Sequence, residues 1–168
     1  MRRPTPHPIR NVDQPAVLTL NNAHAIELSL LDTDRLASLL GQAFRACCIG
    51  DVDAFLIAFD ETASYDSPNY HWFRQRYPRF VYVDRVAVAP PARGRGYART
   101  LYADLFDHCI AGNRNLVVCE VNSIPPNPAS NAFHAALGFS EVGRATIHGG
   151  GKAVRYLARR LPNAGAGL

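Results

Sequence analysis

Residues 83–98 read Val83-Asp84-Arg85-Val86-Ala87-Val88-Ala89-Pro90-Pro91-Ala92-Arg93-Gly94-Arg95-Gly96-Tyr97-Ala98. The pattern predicts an apolar strand that runs into a short turn with two arginines and two glycines, and then a helix. Gly94 and Gly96 let the backbone come close to an anion without a Cβ in the way. The first turn of the following helix presents N–H groups that have no partner within the helix. The stretch therefore predicts a cradle for a pyrophosphate group.

Two other phosphate-binding patterns fit this turn poorly. A dinucleotide-binding fingerprint needs G-x-G-x-x-G, but Arg99 stands where the third glycine would pack. The P-loop pattern G-x-x-x-x-G-K-[ST] does not occur in the chain. An ordinary basic turn with solvated arginines is the plain alternative, and the sequence downstream argues against it.

Arg93, Gly96 and Ala98 fit the coenzyme-binding pattern of the GCN5-related N-acetyltransferases (GNAT), which is Arg or Gln, two residues, Gly, one residue, then Gly or Ala. Downstream, Leu116–Asn122 resembles the next strand of that family, and Asn127–Phe139 resembles its helix ending in Leu-Gly-Phe. The resemblance covers residues 82–139 well and the flanks in outline. It implies a single-domain α/β fold with a central mixed, mostly antiparallel twisted sheet, helices on both faces and splayed central strands.

The resemblance also implies acetyl-CoA as co-substrate, without a metal. The arm of the coenzyme would pair with the strand backbone, and an N–H near Val88 would face the thioester carbonyl and stabilise the developing oxyanion. Asn127 stands at the position that bonds the arm in relatives. The coenzyme-binding residues implied in this way are Val86, Ala87, Val88, Arg93, Gly94, Arg95, Gly96, Tyr97, Ala98, Asn127, Ser130 and His134.

An acceptor amine must lose a proton before it can attack, because amines with a pKa near 10 are almost wholly protonated at pH 7. Asp84 and Glu120 are the candidate bases, since each stands among apolar strand residues where desolvation can raise a carboxyl pKa. An ion pair of Asp84 with Arg85, or of Glu120 with an arginine, is the structural alternative for each.

His134 occupies the position at which the family often carries a tyrosine that protonates the departing thiolate. An imidazolium could take that role, since histidine titrates near neutrality. The alternatives are that His134 only lines the coenzyme channel, or that Tyr97 or Tyr102 is the acid. Ser130 and His134 also have the i, i+4 spacing of a nucleophile pair, but no nucleophile elbow accompanies them, which disfavours a hydrolase.

Length and composition predict one domain. The chain has 168 residues and a net charge of +4, which suits an anionic coenzyme and is too mild to indicate a nucleic-acid partner. We expect a flexible arm over 1–14, an acetyltransferase domain over 15–161 and a frayed tail over 162–168. The four cysteines lack metal or disulfide spacing, so we expect buried free thiols, no metal and a cytoplasmic protein without a membrane anchor.

Local patterns predict the remaining elements. Turn residues at 50–53 and 148–151 predict two β-hairpins, and the aromatic segment 60–79 predicts an ordered loop. The other expected elements are a strand over 16–20, a helical stretch over 21–30, a helix capped by Asp32 or Thr33 and a short helix over 70–76.

The function predicted from these observations is direct acetyl transfer from acetyl-CoA to the amine of a small molecule or a peptide, in a ternary complex. The alternative is a non-catalytic acyl-CoA-binding sensor or interaction module that keeps the cradle but not the chemistry. The sequence does not identify the acceptor, and it leaves open a homodimer.

Overall fold

The structure is a computed structural model, and it describes residues 4–147 and 151–163. Seven strands form one mixed sheet in the order β1-β2-β3-β4-β5-β7-β6. The strands are β1 (His7–Pro8), β2 (Arg45–Ile49), β3 (Ala54–Asp60), β4 (Val81–Val88), β5 (Leu116–Ile124), β6 (Ser140–Ile147) and β7 (Lys152–Arg160). The helices are α1 (Gln14–Ala23), α2 (Ala25–Leu28), α3 (Thr33–Gln42), α4 (Pro68–Arg74), α5 (Tyr97–Ala111) and α6 (Pro128–Ala136).

The chain divides into two compact units. The first holds the described residues up to 64 together with 83–108, and the second holds 65–82 together with the described residues from 109 onward. In the first unit β2 pairs antiparallel with β1 and β3. In the second, β7 pairs antiparallel with β5 and β6, and the start of β4 pairs parallel with β5. The mixed α/β fold expected from the sequence is confirmed.

The recorded pairing of β4 with β5 is short. It joins Val81 to Val117 and Tyr82 to Val118, although β4 continues to Val88 and β5 to Ile124. On its other edge β5 pairs with β7 from Leu116 to Ile124, with a register irregularity between Asn122 and Ile124. The residues proposed to pair with the coenzyme, 86–88, belong to the part of β4 that follows this parallel pairing.

The strand expected over residues 16–20 is wrong, because these residues lie inside helix α1. Pro15 occupies the first turn, where its missing N–H costs nothing. Val17, Leu20 and Asn21 are buried, which is a three- to four-residue spacing and not the alternation of a strand. The apolar run Ala-Val-Leu-Thr-Leu suggested a strand by composition, but its periodicity belongs to a helix.

Part of the segment expected to be a flexible arm is bonded to the sheet. His7 and Pro8 pair with Cys48 and Cys47 of β2, so β1 forms one edge of the sheet. Asp13 is only 5% exposed, and its carboxylate accepts from the Nε, Nη2 and backbone N–H of Arg10, each at 2.9 Å. Atoms of His7, Asp13 and Cys48 that could bind a metal ion lie within 4.8 Å of one another. Because Arg10 bonds both oxygens of Asp13, we interpret this cluster as an anchor of the N-terminal segment.

Asp13 is expected to make the stability of the protein depend on pH in acid. The hydrogen bond from Arg10 lowers the pKa of Asp13 from 3.8 to about 2. A carboxyl whose pKa is lower in the folded state stabilises the fold above its unfolded pKa, and this stabilisation is lost as pH falls from about 4 to about 2. Urea unfolding at a series of pH values should therefore give a shallower slope over this window for Asp13→Asn than for the wild type. Parallel curves would show that Asp13 does not contribute this linkage.

Both predicted hairpins are present. Gly50 has φ of +61°, and β2 and β3 pair in register from Arg45–Ala58 to Ile49–Ala54. The hairpin of β6 and β7 is confirmed from its paired strands, while its expected turn residues 148–150 lie outside the described residues. Of the predicted tail, residues 164–168 also lie outside them.

The predicted helices that carry motifs are confirmed. Asp32 caps α3 by accepting from the backbone N–H of Arg35 at 2.7 Å. Helix α5 begins at Tyr97, directly after the glycine turn, and buries one apolar face. Its buried residues are Leu101, Tyr102, Leu105, Phe106 and Cys109. In residues 4–147 and 151–163, no helix is long and apolar enough to cross a bilayer.

Candidate active site

The predicted anion cradle is an exposed turn at the start of a long helix. Gly94 and Gly96 both have φ of +78°, and an added Cβ at either would meet no atom within 4 Å, so their open sides face free space. The carbonyl of Gly96 accepts from the backbone N–H of Thr100, which starts the hydrogen bonds of α5. Arg93 and Arg95 are exposed beside the turn. The geometry fits a pyrophosphate, because open backbone, helix N-terminus and positive charge occur together.

Arg93 also contacts the helical region near the N-terminus. Its Nη2 donates to Nε2 of His24 at 3.1 Å. Nδ1 of His24 lies 3.0 Å from the carbonyl of Leu20, which can only accept, so Nδ1 carries the proton and Nε2 is the acceptor. Arg93 is therefore bonded to a histidine side chain beside the turn.

Asp84 lies in a buried ion pair, the structural alternative considered for it. Its Oδ2 accepts from Nε of Arg85 at 3.0 Å, and the two side chains are 7% and 6% exposed. Arg85 also donates to Oδ1 of Asn21 at 2.9 Å and to the carbonyls of Leu28 and Ser29. Together these bonds fix the chain after α1 against β4, so Asp84 has a structural role in this arrangement.

Two neutral groups donate hydrogen bonds to Glu120. Its Oε1 accepts from the hydroxyl of Tyr82 at 2.9 Å and from Nδ2 of Asn69 at 3.1 Å. The Oδ1 of Asn69 in turn accepts from the hydroxyl of Tyr156 at 2.9 Å. Glu120 is partly exposed as a residue, within a strand that is otherwise mostly buried. The two candidate bases therefore differ in their hydrogen-bond donors, a guanidinium for Asp84 and a hydroxyl and an amide for Glu120.

Asn127 and Ser130 form the N-terminus of α6. Asn127 caps the helix, with its Oδ1 accepting from the backbone N–H of Ser130 at 3.2 Å. This cap is a structural role for the asparagine in addition to the coenzyme contact that the resemblance implies. Such a cap typically stabilises a helix by about 1 kcal/mol.

His134 is buried and bonded to its own helix. Its Nδ1 lies 2.7 Å from the carbonyl of Ser130, so Nδ1 carries a proton and donates. The hydroxyl of Ser130 is 3.3 Å from the same nitrogen, which therefore cannot activate it as a base would. Burial lowers the pKa of His134 below its ordinary value, with the bond to Ser130 acting in the opposite direction. These contacts favour the channel-lining role over the acid, and they argue against a Ser–His nucleophile.

His134→Phe is therefore expected to change turnover by no more than a few-fold and to leave the alkaline limb of the pH–rate profile in place. The ring of His134 packs edge-on between Phe133 and Phe139, with ring centroids 5.2 and 5.3 Å apart. A phenylalanine ring fits such a layer. Burial disfavours the imidazolium form and lowers the pKa of His134, so removing the imidazole should cost little acid catalysis. Turnover against pH for the wild type, His134→Phe and His134→Tyr is the measurement. Loss of the alkaline limb in the phenylalanine variant, with recovery in the tyrosine variant, would identify His134 as the acid.

Three residues around Glu120 were not found from the sequence. Tyr82 and Asn69 were noted only as part of an apolar strand and an aromatic loop, and Tyr156 only as part of a hairpin. The alternation of side chains along a strand is a signal that bears on Tyr82. Tyr82 pairs with Val118, and Glu120, two residues further along β5, lies on the same face as Val118. Asn69 carries no comparable signal, since only the folded position of α4 brings it to the carboxylate.

Comparison with known proteins identifies the family of the chain. Residues 55–139 match the model of the acetyltransferase (GNAT) family. The chain belongs to the GNAT family. This membership confirms the resemblance inferred from the glycine turn and the Leu-Gly-Phe helix.

One curated relative is a phosphinothricin N-acetyltransferase of Alcaligenes faecalis, which is 38% identical over 65 residues. The match covers 39% of this chain and 32% of the relative, so it spans about a third of that protein.

Solved structures of the same fold cover nearly the whole chain. The ribosomal-protein-S18-alanine N-acetyltransferase of Escherichia coli superposes with a TM-score of 0.73 at 20% identity, covering 99% of both chains. A phosphinothricin acetyltransferase of Sinorhizobium meliloti, solved in complex with AcCoA, has a TM-score of 0.70 at 18% identity and covers 99% of this chain and 92% of its own. At these identities the likeness shows the fold.

Proposed function

We propose that this GNAT family member is an acetyl-CoA-dependent N-acetyltransferase that acetylates the amine of a small molecule or peptide. The observation that carries the proposal is the glycine turn at 93–97, open on its exposed side and placed at the N-terminus of α5. The relatives support it, since a neighbour of the same fold was solved with AcCoA and the curated relative is an N-acetyltransferase.

The proposed binding mode uses the first unit for the phosphates. The N–H groups of Tyr97 and Ala98 and the side chains of Arg93 and Arg95 hold the pyrophosphate. The backbone of 86–88 pairs with the coenzyme arm, and the N–H near Val88 donates to the thioester oxygen as charge develops there. Asn127 and Ser130 are the proposed contacts from α6, with His134 lining the channel.

In the proposed mechanism the acceptor attacks the thioester directly. Glu120 accepts the proton of the acceptor ammonium, directly or through a water, so that the neutral amine can form the new C–N bond. The C–S bond then breaks and the coenzyme leaves as a thiolate. A thiol with a pKa near 8.5 can leave without a protein acid, which agrees with the lowered pKa of the buried His134.

Direct transfer predicts that no cysteine carries the acetyl group. Burial raises the pKa of Cys47 and Cys109 to about 12 and that of Cys48 to about 11, so these thiols are protonated and weakly nucleophilic at pH 7. Cys119 is also buried, and its sulfur is a thiol. Mass spectrometry after incubation with acetyl-CoA alone is expected to show an unmodified chain. A stable acetyl adduct on any of these residues would contradict direct transfer.

The activity itself is tested by thiol release from acetyl-CoA with a panel of amino acids, polyamines, aminoglycosides and peptide N-termini. We expect acetyl-CoA to bind and at least one amine class to give turnover. Binding of acetyl-CoA without turnover of any class would instead favour the alternative, a non-catalytic acyl-CoA sensor. Absence of binding would contradict both.

A further inference from the structure

Glu120 lies in a row of side chains that crosses four neighbouring strands. Tyr82 of β4 pairs with Val118 of β5, and Glu120 follows two residues later on the same face. Glu120 is in register with Tyr156 of β7, and Tyr156 with Gly143 of β6. Paired residues share a face, so Tyr82, Glu120, Tyr156 and Gly143 lie side by side on one face of the sheet.

Helix α4 packs the rings of Tyr70 and Phe73 against this row, and two further residues one turn apart, Asn69 and Trp72, hold the helix to it. Asn69 bonds both Glu120 and Tyr156. Trp72 stacks on the ring of Tyr156, with centroids 4.2 Å apart and an interplanar angle of 20°. A Cβ at Gly143 would come within 2.4 Å of the Trp72 ring, so only glycine leaves room for the indole there. The packing of Trp72 against β6 and β7 therefore holds α4 in place on the sheet. This packing also fixes the position of Asn69 relative to Glu120.

The hydrogen bonds of this cluster all run toward the carboxylate. Tyr156 donates to Asn69, Asn69 donates to Glu120, and Tyr82 donates to the same oxygen of Glu120. The direction follows from chemistry, because an ionised carboxylate only accepts and the amide must then turn its NH₂ toward it. The amide oxygen consequently faces Tyr156, whose hydroxyl must donate.

We propose that Asn69 and Tyr156 are positioning residues that hold the Glu120 carboxylate oriented and ionised for proton transfer. This inference rests on the proposed function, in which Glu120 is the base. Two donors occupy Oε1, so the oxygen left for the accepted proton is Oε2, which is itself buried with less than 1 Å² of exposed surface. Donors to a carboxylate also favour its charged form over the neutral acid. The chain of donors thus keeps Glu120 ready to accept a proton in an aromatic layer that would otherwise disfavour the charge.

The titratable and charged groups around the carboxylate come from β4, β7, α4 and the segments that flank α4, and they include Tyr65 and Tyr70, whose rings pack on Tyr82. Tyr82 lies on β4 and Tyr156 on β7, and the guanidinium of Arg76 stands 3.9 Å over the Trp72 ring just after α4. Burial and the nearby charge of Glu120 raise the pKa of Tyr156 to about 12, so its hydroxyl remains a donor over the working pH range.

The test is a titration of the Glu120 carboxyl carbon by ¹³C NMR in the free protein. The chain has four glutamates, Glu27, Glu61, Glu120 and Glu141, so Glu120→Gln assigns the resonance by its loss. Removing a donor to the charged form raises the titration midpoint, by about one pH unit for a direct donor. We expect this in Tyr82→Phe and Asn69→Leu, and a smaller rise in Tyr156→Phe, which acts through Asn69.

Tyr156→Phe is the decisive variant, because it removes one oxygen and keeps the ring on which Trp72 stacks. Tyr77→Phe is the matched control, since Tyr77 packs on Phe73 and is not part of the network. A midpoint in Tyr156→Phe equal to that in Tyr77→Phe would overturn the proposal. With an acceptor, kcat is expected to fall about tenfold in Asn69→Leu and the acidic limb to move to higher pH, with KM for acetyl-CoA unchanged.

The two readouts separate the inference from the function on which it rests. A shifted midpoint in a protein that acetylates no amine would contradict the proposed function and leave the hydrogen-bond network supported. Turnover in the wild type with an unshifted midpoint in Tyr156→Phe would support the function and contradict the network.

Discussion

Glu120→Gln is expected to lower turnover by roughly 10²–10⁴-fold, the usual contribution of a general base, while acetyl-CoA affinity stays unchanged. Glutamine keeps the volume and the hydrogen-bonding reach of the side chain but cannot accept the proton of an ammonium. The coenzyme affinity should hold because the proposed phosphate contacts, at 93–98, use backbone N–H groups and arginines. Steady-state turnover and calorimetric binding of acetyl-CoA on the same preparation measure the two effects.

Asp84→Asn is the matched control for this experiment. It also removes a strand carboxylate, but one that is 7% exposed and paired with Arg85. Removing one partner of a buried ion pair typically destabilises a protein by about 3–5 kcal/mol. We therefore expect a lower unfolding free energy and near-normal turnover from the folded fraction. The opposite pattern, with full activity in Glu120→Gln and loss in Asp84→Asn, would move the base to Asp84.

The glycine turn, the hairpins and the capped helix could be predicted because their signals are local. Gly94 and Gly96 favour positive φ through their own lack of a Cβ, whatever the rest of the fold. Asp32 likewise favours a helix start through a bond to a residue only three positions away. The expected strand over 16–20 failed for a related reason, since a five-residue apolar run does not distinguish strand from buried helix without its longer periodicity.

The surroundings of the carboxylates could not be predicted, because they depend on distant residues. Asp84 and Glu120 look alike in sequence, each a charge among apolar strand residues. Asn21 lies 64 positions from Arg85 and fixes the ion pair of Asp84, whereas Asn69 lies 51 positions from Glu120 and bonds it directly. Only the fold reveals that Asp84 accepts from an arginine and that Glu120 accepts from a tyrosine and an asparagine.

Gly96→Val is expected to weaken acetyl-CoA binding by roughly 10²-fold. Gly96 has φ of +78°, a conformation that costs a β-branched residue about 1–3 kcal/mol. The free turn of the variant would relax to negative φ, so the coenzyme would have to restore the strained turn as it binds. Each 1.4 kcal/mol of that strain lowers the affinity about tenfold. The new side chain also fills the open side, where no protein atom lies within 4 Å of the Cβ position and where the phosphates are proposed to approach the backbone.

The matched control is Gly138→Val, which introduces the same residue at a φ of +85° away from the glycine turn, at the end of α6. Its Cβ position meets only the Arg159 side chain, at ordinary contact distances of 3.7 Å and more. Both variants place a β-branched residue at a left-handed position, but only Gly96→Val should lose coenzyme affinity. Calorimetry that gives equal affinities for Gly96→Val and the wild type, with the fold intact by circular dichroism, would remove the turn from the coenzyme site. Equal losses in the two glycine variants would attribute the effect to general destabilisation.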